Sequence, residues 1–223
     1  ANHYYIHTME ASPTPEQALE SAKRLDSLVP DMGHLVHMPA HIYGRTGDHA
    51  AAARANRAGA EADRAYFTAG GPRGTFYEMG YFAHNLHFLV DSEMMQGNFA
   101  GAQRAAQELS DALSPHLDMM PMAESMVASS MSLLMRFGKV EEIFALPAPD
   151  EKRPVLTAWW HFARGVAFAR KGRIPESRSE RRALQRAIEN VPESALFGGT
   201  GLTPASNILK LAVTVLDARI AEA

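Results

Sequence analysis

Small and apolar residues recur at helical spacing on either side of four glycines, Gly47, Gly97, Gly138 and Gly172. Each glycine closes one helical pattern and opens the next, the punctuation of helix-turn-helix pairs. Ala40 and Tyr43 precede Gly47, and Ala52 and Gly59 follow it. Around Gly172 the same places hold Gly165, Phe168, Ser177 and Leu184; around Gly97 they hold Val90, Ala102 and Ala106, with Glu93 where an aromatic is expected. Gly138 is preceded by Met131 and Leu134, but Leu146-Pro147-Ala148-Pro149 cuts its second helix short. The first pair turns at Ala11-Ser12-Pro13-Thr14-Pro15, where Thr14 is a candidate cap and Pro15 suits a first helical position. A final helix is predicted from Thr203-Pro204 to the end. Phe67 to Tyr77 reads as a glycine-rich aromatic loop that covers a groove.

The frame Gly33 to Gly59, carried by Ala40, Tyr43, Gly47 and Ala52, resembles the 34-residue tetratricopeptide repeat. The resemblance implies an all-α fold: a right-handed superhelix of antiparallel helix pairs, a tetratricopeptide-like solenoid, with a C-terminal capping helix. It implies one domain over 1–223, with units at about 1–32, 33–66, 83–116, 124–146 and 158–191 and a cap at 203–222. The phrases NHYYIH, GHLVHMPAHIY and HNLHFL further resemble a group of His-rich bacterial tetratricopeptide proteins that are longer at the N-terminus. That likeness implies a bacterial protein, periplasmic or cytoplasmic. Because helical pattern begins at Ala1 with almost no lead-in, the chain is expected to be the C-terminal part of a longer one, an export signal being among the segments that would precede it.

In such repeats the first helix of each pair lines the concave groove, at positions separated by three, four and three residues. Those positions hold His3, His7 and Glu10 in the first unit, His34, His37, His41 and Gly44 in the second, and His84, His87, Asp91 and Met94 in the third. Seven of the ten histidines thus fall in eleven slots, where random placement predicts about 0.5. Units four and five carry Ser125, Ala128, Ser132, Met135 and then Trp159, Phe162, Val166, Ala169 in the same slots, so the histidine chemistry belongs to one end of the array. Crowded imidazoles need partners for their nitrogens and repel when protonated; a divalent cation removes both costs. The expected ligands are His3, His7, His34, His37, His41, His84 and His87, with Asp91 and Glu10 as ligands or as catalytic general bases. Asn2, Tyr4, Tyr5, Thr8, Tyr43, Tyr81 and Asn85 are candidates to orient the rings.

Composition narrows the metal and the partners. Zero cysteines exclude thiolates, leaving zinc, copper or iron held by nitrogen and oxygen. A balance of 22 basic against 25 acidic residues, formal charge -3, argues against nucleic acid as a partner. No run approaches the roughly 20 apolar residues of a membrane span. There is no GxSxG, phosphate loop or CxxCH, and haem held by two histidines has no specific support. Met119, Met120, Met122, Met126 and Met131 fit a helix interior better than a copper-thioether site. His49 reads as surface, His116 as loop and His161 as a packing residue, while Arg178 to Arg182 reads as a solvated face. The sequence therefore predicts a helical-repeat metalloprotein with one or two first-row ions, its enzymatic candidates being metal-dependent oxidation or hydrolysis. The competing reading is a scaffold whose groove binds a peptide or protein segment without metal.

Overall fold

A computed structural model describes residues 1–198 and 203–223. The described chain is all-α apart from one pair of two-residue strands. It divides into two compact units, Ala1–Ala112 and Leu113–Ala223.

In the first unit, α1 (Asn2–Glu10) and α2 (Leu19–Leu28) precede α3 (Gly33–His37) and α4 (Pro39–Thr46). The last two are one helical run broken at Met38, because Pro39 has no N–H to bond back into the previous turn. Gly47, at φ 85°, turns the chain through the left-handed region, and the Asp48 carboxylate accepts from Ala51 N at 2.9 Å to cap α5 (His49–Thr68). Gly97, at φ 78°, and Asn98, which accepts from Gly101 N at 3.1 Å, repeat the device between α6 (Ala83–Met95) and α7 (Phe99–Leu113).

Ile6, Met38 and Ile42 are fully buried among the alanines Ala18, Ala22, Ala51, Ala52 and Ala55. Each large side chain there contributes about 1.5–3 kcal/mol, and the alanines let the helices approach closely. The approach is close where a Cβ on Gly59 would sit 2.8 Å from Gly33 O and 2.7 Å from the Asn85 side-chain amide. That contact brings the polar face of α5 against α3. Tyr43 donates to Asp26 at 2.9 Å, tying α4 to α2.

The glycine-rich segment after α5 is a loop, as expected, held between two helical ends. Helix α5 runs on to Thr68, and Tyr77–Phe82 forms a π-helical turn that leads into α6. Buried Glu78 accepts from Gly74 N at 2.7 Å and from Arg73 at 2.5 Å, and the Arg73 guanidinium lies 4.2 Å from the Phe67 ring centroid.

The second unit holds α8 (Glu124–Val127), α9 (Ser129–Arg136), α10 (Val140–Ala145), α11 (Pro154–Arg170), α12 (Ile174–Glu189) and α13 (Ala205–Glu222). Its core is built on Val155, Phe162, Leu184, Leu209 and Leu216. The Glu124 carboxylate accepts from Val155 N and Leu156 N, at 3.0 and 3.1 Å, and so caps the buried N-terminal end of α11. Thr203–Pro204 pair with Leu196–Phe197 as an antiparallel bridge, so the last helix starts at Ala205, two residues after the expected position. Among the described residues no helix is long and apolar enough to cross a membrane.

Candidate metal centre

Three elements of the first unit deliver the histidines. Steps of four and three residues place His3, His7 and Glu10 on one stripe of α1, and steps of three and four do the same for His34, His37 and His41 across the α3–α4 break. Helix α6 supplies His84. Their nitrogens gather into groups whose ligand atoms lie within 4.8 Å of one another: His37, His41 and His84; His3, His7 and His34; and His7, Glu10 and His41.

Hydrogen bonds fix the tautomers of His37, His41 and His7. His37, fully buried, has Nδ1 2.9 Å from Asn56 Oδ1. Asn56 Nδ2 donates to Ser92 Oγ at 3.1 Å, and Ser92 Oγ donates to Phe88 O at 2.7 Å, so the amide oxygen of Asn56 is the end turned to His37. Asn85, in the amide orientation that satisfies its neighbours, accepts from Ala60 N at 2.7 Å and adds a donor to Asn56 Oδ1 at 3.2 Å. Glu10 uses both carboxylate oxygens: Oε1 accepts from His7 Nδ1 at 2.8 Å, and Oε2 accepts from His41 Nδ1. Burial by itself pushes the Glu10 carboxyl up, but the bonds from His41 and His7 win and hold it at about 2, so it is an ionised acceptor. His37, His41 and His7 therefore carry their proton on Nδ1 and present an Nε2 lone pair.

The Nε2 atoms of His37, His41 and His84 lie close together. His37 Nε2 is 3.1 Å from His41 Nε2, and His41 Nε2 is 3.4 Å from His84 Nε2. Two acceptors at that distance repel unless a cation lies between them. A proton on either flanking ring is disfavoured: burial, reinforced by the neighbouring imidazoles, holds His37 well below its ordinary value and His84 at about 3. A tetrahedral metal with nitrogen ligands at 2.0–2.1 Å sets those nitrogens about 3.3 Å apart, close to the spacings of the His37–His41 and His41–His84 pairs. The Phe88 ring lies 5.3, 4.5 and 4.7 Å from the rings of His37, His41 and His84 and walls the site with apolar surface.

Around the second group, His3 Nε2 is 3.1 Å from His34 Nε2, and the Tyr81 ring lies 4.5 Å from that of His34, tilted at 46°. His3 is lowered from its ordinary value by burial and by His7 and His41, and His34 falls to about 4 chiefly through burial.

Of the nine residues expected to ligate, seven come together and two do not. His87 and Asp91 belong to none of the three groups. Neighbouring helices running level would bring His87, at the groove position matching His37, beside it. Instead His84, three residues earlier on α6, stands beside His37 and His41, a stagger of about one helical turn. Burial lowers His87 and the Asp91 carboxylate opposes that shift. Asp91 itself is exposed. Of the expected orienting residues, Asn85 supports Asn56 and Tyr81 lies against His34, whereas Tyr43 serves Asp26, Thr8 donates to Tyr4 O, and Tyr4 is exposed. Asn56, Ser92 and Phe88 also line the site and were missed. Asn56 had a visible signal, as a lone amide within the alanine-rich run His49–Ala60. His161 pairs with Glu180 at 2.7 Å, a satisfied structural histidine.

Compared with known proteins, the chain matches no family model, no curated protein and no solved structure.

Proposed function

We propose that this chain is a metalloprotein that binds a first-row transition metal through His37, His41 and His84, with Glu10 and Asn56 orienting the ligand rings. The observation that carries the reading is the set of Nε2 atoms meeting at 3.1 and 3.4 Å while the Nδ1–H groups of His37 and His41 are committed elsewhere. Three neutral imidazoles leave a fourth coordination position open, the arrangement of catalytic rather than closed structural sites. Zinc there would lower the pKa of a bound water, and copper or iron would supply redox chemistry. The carrier we assign is a tetratricopeptide-like right-handed superhelix. Its support is the recurrence of a left-handed glycine between paired helices, with φ of 85°, 78°, 65° and 70° at Gly47, Gly97, Gly138 and Gly172.

Metal analysis of purified and reconstituted protein tests the reading. About one tightly held ion of zinc, copper or iron per chain is expected, and the His37→Ala, His41→Ala double variant should lose it while keeping its helical circular dichroism. A protein that takes up none of the three metals is instead the metal-free scaffold, and occupancy that survives the double variant refutes this ligand set.

A further inference from the structure

We infer that His3, His7 and His34 form a second, weaker ion site beside the first, so that the protein fills in two steps and the outer ion is the exchangeable one. The inference rests on the metal centre proposed above. One nitrogen pair of this group lies as close as any in the inner site, His3 Nε2 to His34 Nε2 at 3.1 Å, and all three residues offer an atom within 4.8 Å of the others. The His3 ring meets those of His7 and His34 at 4.9 and 5.2 Å. Because the Glu10 carboxylate takes the Nδ1–H of His7, the Nε2 of that ring is free to bind metal.

Two features make this site the weaker one. In the inner site His37 and His41 each have an orienting acceptor, whereas His34 Nδ1 is buried with no partner. Loss of one such orienting bond costs about 10–100-fold in metal affinity. Charge acts in the same direction. Glu10 is one carboxylate shared between a ring of each site, with His7 and His41 only 4.9 Å apart, and the first ion has already drawn on its field when the second arrives. Access differs too: the His7 side chain is 36 % exposed and that of His41 1 %. The outer ion is open to exchange and to small oxygen ligands, while the inner one is closed in by Phe88.

Zinc titration of the metal-free protein, followed by native mass spectrometry and chelator competition, tests this. Two zinc ions per chain are expected, the second at least about tenfold weaker. The His3→Ala, His34→Ala variant should bind one ion with the tight affinity intact, and His37→Ala, His84→Ala should lose the tight ion. Should the alanine pair at 3 and 34 lose helical circular dichroism, His3→Gln, His34→Gln replaces it. A parent protein that saturates at one ion, or a 3/34 variant that still takes two, overturns the second site and leaves the first standing. A parent protein that binds no zinc overturns both.

Discussion

Glu10 is the residue on which both histidine groups lean, so Glu10→Gln is the most informative single change. The carboxylate offers one oxygen to His7 Nδ1 at 2.8 Å and the other to His41 Nδ1. Glutamine has one acceptor oxygen, and its NH2 meets the second ring with donor against donor. One imidazole then has to rotate or change tautomer, which takes its Nε2 lone pair out of the site. For His41 the loss is direct, because its Nε2 is the atom shared with His37 and His84. A lost orienting partner costs about 10–100-fold in metal affinity, equivalent to about 1.4–2.7 kcal/mol. Competition against a chromophoric chelator gives the zinc affinity of parent and variant, and circular dichroism confirms that the helices persist. An affinity within about twofold of the parent, the ordinary scatter for an uncoupled site, would mean that Glu10 does not orient the ligands.

Three further outcomes follow from the same geometry. Asn56→Ala leaves a buried His37 Nδ1–H without an acceptor and should cost about 1–3 kcal/mol of stability in denaturant melts, together with a weaker metal site; an unchanged melt would show that the Asn56 bond is idle. Gly33→Ala drives a Cβ to 2.0 Å from Asp63 Oδ1 and 2.3 Å from Asp63 Cγ, so its thermal midpoint should fall clearly, and a midpoint equal to the parent's would refute the close α3–α5 contact. Burial raises the Glu180 carboxyl, but bonds from His161 and Arg164 outweigh it and hold the group below 4.5. A depressed carboxylate stabilises the fold above its unfolded pKa and loses that contribution as pH falls through the folded value. Glu180→Gln should therefore be less stable than the parent at pH 7, by about 1–3 kcal/mol, with the gap closing below about pH 4.5; a gap that is constant with pH contradicts the pairing.

Helix pairs and their turns were legible because single residues specify them: Gly47 and Gly97 adopt the left-handed conformation, and Asp48 and Asn98 supply the cap. The stripes on α1 and on α3–α4 were legible for the same local reason, since side-chain spacing within one helix fixes which residues share a face. What sequence spacing does not contain is the stagger between helices. That is set by packing, here by the Gly33–Gly59 approach, and it is why His84 rather than His87 reaches His37. Orienting residues were hidden for a related reason: Asn56 and Ser92 lie on different helices and meet only when α5 packs on α6. Glu10 was placed in the cluster by its phase, and the structure gives it a hydrogen-bonding partner on each side.

The most direct test of the central claim is anomalous diffraction from crystals of the zinc-loaded protein, recorded on both sides of the zinc edge. The account predicts an ion within about 2.0–2.1 Å of Nε2 of His37, His41 and His84. Zinc bound elsewhere, such as at His49 or His116, with no density between these three imidazoles, would contradict it.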